Sequence, residues 1–396
     1  MSTPEIVEEL KKRLKDPFSK VAGWKLGSPG RKVVGCYPVY TPVELVHAAG
    51  MLPVLVAGSG GIPGIRQSEK HLQAFVCAIG RSTTELLDRG MLDVLDAMLF
   101  PSVCEISRSL NGVMSRLAGE KPFVYVQFPQ NLDSAHSLDF LVCELNRVRE
   151  ILERLGGKPI PDDAIRASFA VYNKRAELLK ALDHARMEQS PRISASRYYA
   201  LRLAGMAIPP EEHIELLSRA VDALGKDDTI PSARLRMTLV GAFCERPPIS
   251  IIEKFEQFGV SIVGDDMLLG QRWWTGPLPL EGDPILALAK HYLENSIETS
   301  VVHRADPKAI YSRVLREAHQ READGVIVAS AKFCHPALSD IACIVKACEE
   351  RSVPYIRLEF TEDMTVFAPV LLQLEALLEA RTNLPFAGTE NGEGRN

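Results

Sequence analysis

Three consecutive segments, Arg31-Lys-Val-Val-Gly35, Thr41-Pro-Val-Glu-Leu-Val-His-Ala-Ala-Gly50 and Leu52-Pro-Val-Leu-Val-Ala57, indicate the fold class of this chain. The first and third are short apolar runs typical of buried strands, and the second is a helical pattern. Thr41 suits the helix N-cap, Pro42 the first helical position and Gly50 the position just after the helix. Strand, helix and strand with short connections form a βαβ unit, which predicts a parallel sheet.

The same alternation recurs further along the chain. Strand patterns at 94–100 and 123–127 flank a helix at 106–117, which completes a predicted N-terminal α/β domain over residues 1–136. Helical periodicity then dominates a segment predicted to span residues 137–230. A second α/β domain is predicted over 231–384, and the Gly-, Glu- and Asn-rich tail 385–396 is predicted to be disordered. We therefore expect an α/β protein with two Rossmann-like domains, whose parallel sheets are flanked by helices, joined by a helical intervening segment.

Composition excludes several classes of function. The chain has 396 residues, 46% hydrophobic content and a net charge of −5, and it contains no long basic block, so nucleic-acid binding is not expected. The first twenty residues are charged, so no signal peptide is predicted. No run of about eighteen uncharged apolar residues occurs, so no membrane span is predicted. A cytoplasmic protein is expected.

Three of the eight cysteines stand at predicted element ends. Cys334 follows the apolar run Ala323–Ser330, and Cys104 follows the apolar stretch 95–103. Both lie near a predicted helix N-terminus, whose partial positive charge is expected to lower the thiol pKa. Cys77 precedes a predicted helix at 82–89. Spacing alone leaves two interpretations open, namely a shared metal or cluster site and three buried structural thiols.

Other candidates carry weaker signals. Cys143, Cys343 and Cys348 lie on helical patterns and are predicted to fill cores as small hydrophobic residues. Glu44 and His47 share a helix face one turn apart, which allows acid–base chemistry or an ordinary surface pair. No CxxC pair, HExxH motif or GxSxG elbow occurs.

Several segments together resemble one known family, the 2-hydroxyacyl-CoA dehydratases and benzoyl-CoA reductases. Residues 34–53 resemble its opening signature, and Phe100-Pro-Ser-Val-Cys-Glu105 resembles its second signature. Residues 323–336 followed by 353–359 resemble its C-terminal signature. The resemblance runs from about residue 30 to residue 381. Val43 and His335 depart from it, since acidic residues are common at both positions.

The resemblance implies a cofactor and partners. In this family each of two related subunits holds one [4Fe-4S] cluster by three cysteines in the cleft between its two α/β domains. Those cysteines correspond here to Cys77, Cys104 and Cys334, and the fourth iron has an open or exogenous ligand. The family also implies a homologous second catalytic-type subunit, which completes a heterodimer. It further implies an ATP-hydrolysing activase with its own [4Fe-4S] cluster and an acyl-CoA substrate. This chain has no Walker-type motif, so it resembles the catalytic component.

The resemblance leaves more than one activity open. The length and the first signature are most similar to the smaller catalytic-type subunit of ATP-dependent benzoyl-CoA reductases, which dearomatise the ring to a cyclic diene. The alternatives are a subunit of an (R)-2-hydroxyacyl-CoA dehydratase and a subunit that relays electrons without binding substrate. Glu44, in the signature helix, is the residue expected to lie near the substrate.

Overall fold

A computed structural model describes residues 17–58, 67–225, 230, 233–241, 248–266, 276–297, 299, 301–306, 308–361 and 368–383. The tail 385–396, predicted to be disordered, lies outside the described residues. No helix in the described ranges is both long and apolar enough to cross a lipid bilayer.

The first sheet has four parallel strands. They are β1 (Val33–Cys36), β2 (Leu52–Leu55), β3 (Ala97–Pro101) and β4 (Phe123–Val126), arranged in the order β2-β1-β3-β4. Four helices accompany them in the sequence: α1 (Pro17–Leu26), α2 (Val43–Ala48), α3 (Ala78–Asp88) and α4 (Glu105–Leu117). Every residue of β1, β2 and β3 is buried, as expected for parallel strands covered on both faces. The βαβ prediction is therefore confirmed.

The start of α2 differs from the prediction in one detail. Pro42, not Thr41, occupies the N-cap, because the Thr41 hydroxyl donates a hydrogen bond backwards to the carbonyl oxygen of Tyr37 at 2.6 Å. The end of the helix is as predicted. Gly50 follows the C-cap residue Ala49 with a φ of +73°, a left-handed conformation that favours glycine.

The second sheet repeats the plan of the first. Its strands are β5 (Leu235–Val240), β6 (Val260–Asp265), β7 (Gly325–Ala331) and β8 (Tyr355–Phe360), all parallel, in the order β6-β5-β7-β8. The helices α9 (Ile249–Gln257), α11 (Ala309–Gln320), α12 (His335–Glu350) and α13 (Ala368–Asn383) alternate with them. Two four-stranded parallel sheets flanked by helices confirm the predicted fold class.

Between the two sheets the chain is helical. This part contains α5 (Ser137–Gly156), α6 (Asp162–Met187), α7 (Ala195–Ala204) and α8 (Pro210–Asp222). Buried ion pairs attach α6 to the second sheet: Arg186 pairs with Asp265 at 2.6 Å, and Asp183 pairs with Arg321 at 2.9 Å. The boundaries proposed at residues 136 and 230 stay predictions.

A late segment of the chain returns to the first sheet. The helix α10 (Pro284–Asn295) presents Tyr292, whose hydroxyl oxygen lies 3.1 Å from the carbonyl oxygen of Thr41. The Tyr40 hydroxyl donates to the Ile297 carbonyl oxygen and accepts from the Ile297 N–H. Residues from α10 onward therefore complete the core around the loop that follows β1.

Candidate functional site

In each sheet the second strand lies on one side of the first strand and the third strand lies on the other side. This reversal of the strand order creates one switch point in each sheet. In the first sheet it lies between β1 and β3, and in the second between β5 and β7. Ligands of open parallel sheets bind in the crevice outside the carboxyl ends of the strands at such points. Cys104 follows β3 and Cys334 follows β7, so each cysteine lies beside the crevice of its own sheet.

The three predicted site cysteines share one local setting. Cys77 is the N-cap of α3, Cys104 of α4 and Cys334 of α12. The Cys104 sulfur accepts a hydrogen bond from the Ser107 N–H at 3.3 Å, which uses one of the helix donors that has no partner inside the helix. Helix α3 begins at Ala78, four residues before the predicted start, so Cys77 is closer to a helix end than the sequence indicated.

Close packing places two of these N-caps side by side. Gly80, in the first turn of α3, faces Ile106 of α4, and a Cβ atom added at Gly80 would lie 3.1 Å from the Ile106 Cγ2 atom. The glycine therefore allows α3 and α4 to approach closely. In the second domain Phe333 has a φ of +65°, a strained conformation for an aromatic residue, and it turns the chain immediately before Cys334.

One cavity joins the three cysteines. It has a volume of about 690 Å³ and receives side chains from both domains. All three predicted cysteines line it, together with a mixed polar and aromatic wall: Tyr37, Ile79, Ser102, Glu105, Ile106, Arg108, Tyr125, Gln130, Val301, His303, Phe333, His335, Pro336 and Ser339. The structure therefore brings together three residues that are separated by 27 and 230 positions in the sequence.

The donor set is of the type that iron–sulfur clusters use, whose irons are bound by cysteine thiolates. Among the described residues no three His, Cys, Asp or Glu side chains lie close enough to hold one metal ion. In a cubane cluster, however, each cysteine binds a different iron, so the sulfurs stand apart around a shared core. Three thiols around a roomy cavity match that requirement.

The protonation of Cys104 differs from the prediction. Burial raises the pKa of this thiol, and the hydrogen bonds from the Ser107 and Ile106 backbone only partly oppose the effect. The helix end was predicted to lower the pKa of this thiol, and that prediction is wrong for Cys104. The loss of hydration around a buried thiolate outweighs the field of one helix terminus.

Several polar groups of the cavity were not predicted from the sequence. Tyr125 belongs to β4, and the Ser102 hydroxyl, in the loop after β3, donates to the Phe128 carbonyl oxygen at 3.2 Å. Arg108 contributes a guanidinium, and His303 approaches from the segment that returns to the first sheet. Tyr125 and Ser102 could have been found, because they stand at or after the carboxyl ends of parallel strands. Nothing in the sequence marks the loop residue His303.

Glu44 lies elsewhere. Its carboxylate is buried and accepts a hydrogen bond from the Tyr292 hydroxyl at 3.0 Å, and burial raises its pKa. It is not among the residues that line the cysteine cavity. His47 uses both ring nitrogens on other partners, Ser168 and Glu211, so it does not form a pair with Glu44. The proposed role of Glu44 near the substrate stays a prediction.

The remaining cysteines divide by burial. Cys348 is buried, as predicted, whereas Cys143 and Cys343 are exposed, so the core prediction is wrong for those two. Both lie on amphipathic helices, where a shift of one residue in the assumed face exchanges core for solvent. Cys36 is buried, and Cys244 lies outside the described residues.

The fold and the site define a two-domain α/β protein with a thiol-lined cleft between two strand-order switch points. Comparison with known sequences gives the family. The profile of the 2-hydroxyglutaryl-CoA dehydratase D-component family matches residues 38–380. The chain belongs to this family, which confirms the resemblance found in its signatures.

Named relatives span nearly the whole chain. A subunit of the benzoyl-CoA reductase of Thauera aromatica is 34% identical over 93% of this chain and 96% of its own length. The beta subunit of lactoyl-CoA dehydratase of Anaerotignum propionicum is 27% identical over 94% of this chain and 98% of its own length. The beta subunit of (R)-2-hydroxyglutaryl-CoA dehydratase of Acidaminococcus fermentans is 28% identical over 96% of this chain and 100% of its own length.

Proposed function

We propose that this chain is an iron–sulfur subunit of a low-potential radical enzyme that acts on a CoA thioester. Cys77, Cys104 and Cys334 would each supply one thiolate to a [4Fe-4S] cluster in the inter-domain cleft. When bound, such a cluster passes single electrons at low potential. The observation that carries the proposal is the one cavity lined by all three N-cap cysteines from two domains.

The proposed reaction is the ATP-dependent reductive dearomatisation of benzoyl-CoA to a cyclohexadiene-carbonyl-CoA. It is supported by the 34% identity to a benzoyl-CoA reductase subunit, against 25–28% for three dehydratase beta subunits. The relatives are named as subunits, so we further propose a heterodimer with a homologous catalytic-type subunit. An ATP-hydrolysing activase with its own [4Fe-4S] cluster would supply the electrons.

The protein's own residues have three tasks in this proposal. Tyr37, Tyr125 and Phe333 give the cavity an aromatic wall that suits a planar acyl group. The Arg108 guanidinium offers positive charge where a thioester carbonyl would gain negative charge. Gly80 and Phe333 shape the backbone that positions the three N-caps.

A second candidate function is a subunit of an (R)-2-hydroxyacyl-CoA dehydratase. The family description and two relatives that match over nearly their full lengths favour it. In a third arrangement this subunit relays electrons while its partner binds the thioester. These candidates share the cluster and differ in what enters the cavity.

Anaerobic purification of the chain with its partner subunit tests the proposal. We expect a brown, oxygen-labile protein with about one cluster in each chain of this type. A colourless, iron-free complex would contradict the cluster assignment. Assays with the activase, using benzoyl-CoA and a 2-hydroxyacyl-CoA in parallel, then separate reductase from dehydratase. Turnover that persists when this subunit's cavity is narrowed by Ser102→Trp would indicate the relay arrangement.

A further inference from the structure

His303 occupies a position in the cavity that the cluster proposal does not use. It belongs to the segment that returns to the first sheet, and its imidazole lines the same cavity as the three cysteines. Its side chain is exposed, so water reaches it. Within the described ranges no hydrogen-bond partner is found for its ring nitrogens.

The backbone of His303 is held firmly although its ring is not. The His303 N–H donates to the Gln130 carbonyl oxygen at 2.7 Å, and its carbonyl oxygen accepts from the Leu132 N–H at 2.9 Å. These bonds form a parallel bridge between residues 131 and 303. Asp133 extends the attachment by accepting bonds from Arg304 at 2.9 Å and the Ala305 N–H at 2.7 Å. The backbone bonds therefore fix the point in the cavity wall from which the His303 side chain extends.

In the proposed dearomatisation, one-electron reduction of the acyl group creates a radical anion, and two protons are needed to reach the cyclic diene. A second histidine of the wall, His335, directly follows the proposed ligand Cys334, and the remaining polar groups are poorly suited to supply protons. Arg108 does not release its proton, and Glu105 carries the same charge as the radical anion. Burial raises the pKa of Tyr125, which makes its phenol a weaker acid than usual. Histidine is the side chain that gives and regains a proton most readily near neutral pH.

We propose that His303 is the proton donor for the reduced acyl group in the inter-domain cavity. This inference rests on the proposed function. In each step one electron from the low-potential donor enters the thioester-conjugated ring. The imidazolium N–H bond then breaks as a C–H bond forms, and the neutral imidazole regains its proton from water. Two such steps add two electrons and two protons and give the cyclic diene.

The test uses the complete anaerobic complex with its activase and compares three variants. His303→Gln keeps a similar volume but cannot deliver a proton, and His303→Ala opens space for added imidazole. His136→Gln is the matched control, because His136 is also exposed and does not line the cavity. We expect both His303 variants to lose about 10²- to 10⁴-fold in kcat, the range of general acid catalysis.

Two readouts separate proton transfer from a structural role. Iron content and the spin-resonance spectrum of the reduced complex should equal those of the wild type in all three variants. Added imidazole should restore turnover to His303→Ala and leave His136→Gln unchanged. Full turnover of His303→Gln would overturn the proposal. So would a loss of iron that matches the loss of activity.

Failure of the proton-donor assignment can be distinguished from failure of the proposed function. If the wild-type complex holds no iron or turns over no CoA thioester, the proposed function fails before any variant is compared. If the wild type reduces benzoyl-CoA and His303→Gln does so equally well, only the proton-donor assignment fails.

Discussion

Burial decides the protonation of individual side chains around the cleft. The Cys104 thiol is half-buried at a helix N-cap, and the loss of hydration raises its pKa in spite of two backbone donors. A helix terminus alone therefore does not make a cysteine reactive. Metal ligands must be deprotonated, so under the proposed function cluster insertion at Cys104 would release a proton.

The ligand assignment predicts opposite results for two cysteines of the same helix. Cys334 caps α12 and lines the cavity, whereas Cys348 is buried in the core below the same helix. We expect Cys334→Ser to abolish retention of the cluster, because a hydroxyl is a poor ligand for iron. Cys348→Ser should leave the iron content unchanged. Iron analysis of both anaerobically purified variants checks this, and full iron in Cys334→Ser would make the assignment wrong.

A buried histidine predicts the acid sensitivity of the fold. Burial lowers the pKa of His213 from 6.5 to about 3, and one ring nitrogen donates to the Leu201 carbonyl oxygen at 2.9 Å. Because the pKa is lowered in the folded state, this residue's contribution is complete above about pH 6.5 and is lost as the pH falls toward 3. We expect a loss of about 2 kcal/mol between pH 7 and pH 5. Urea unfolding of wild type and His213→Gln at both pH values measures it, and equal pH slopes would contradict it.

Close packing between α7 and α8 restricts which residue can end α7. Gly205 ends α7 directly against the His213 ring of α8, and a Cβ atom there would lie 2.3 Å from the ring. Gly112 lies in the interior of α4 with open space around it. A neighbouring side chain therefore requires a glycine at position 205, whereas no neighbour requires one at position 112.

Substitution by alanine should separate these two glycines. We expect Gly205→Ala to lower the free energy of unfolding by about 1–3 kcal/mol, because the ring or the helix must shift. Gly112→Ala should raise it by up to about 1 kcal/mol, since alanine is the better helix former. Thermal unfolding midpoints of the two variants check the signs. A neutral Gly205→Ala would mean that α8 adjusts freely against α7.

The secondary structure was largely predictable from the sequence, because buried parallel strands form continuous apolar runs and helices show clear periodicity. The exact residues at which the helices begin were less predictable. Thr41 was expected to cap α2, but its hydroxyl bonds to Tyr37 instead. Cys143 and Cys343 were expected in cores and are exposed, since periodicity gives a helix face only approximately. Such details depend on neighbours that local sequence does not specify.

Across the whole molecule, buried charges connect the helical part to the second sheet. Arg186 is almost fully buried, pairs with Asp265 and Asp183, and stacks over the Tyr198 ring at 4.2 Å. These attractions raise the pKa of Arg186 and lower that of Asp183. These attractions therefore favour the charged forms of Arg186 and Asp183.

Removing this arginine should be costly. We expect Arg186→Met to lower the free energy of unfolding by about 3–5 kcal/mol, because it leaves buried carboxylates without their partner. Arg192→Met removes an exposed pair with Glu188 and should cost no more than about 1 kcal/mol. Urea unfolding of both variants measures the difference. Similar values for the two would show that the buried network contributes no more than a surface pair.

The convergence of the cysteines could not be derived from spacing. Separations of 27 and 230 residues match no local motif, and only the two sheets with their equivalent switch points bring Cys77, Cys104 and Cys334 to one cavity. The family resemblance supplied that expectation. Neither residue spacing nor the family resemblance predicted His303. It reaches the cavity through a segment whose return to the first sheet has no sequence signal.

That returning segment also determines the order in which the protein can be completed during synthesis. Tyr40 and Thr41 bond to Ile297 and Tyr292, which the ribosome adds some 250 residues later. The first sheet therefore emerges early but lacks part of its core until β5 and β6 have been made. The contacts of the β1 loop with residues 292 and 297 therefore cannot form until about three quarters of the chain has been synthesised.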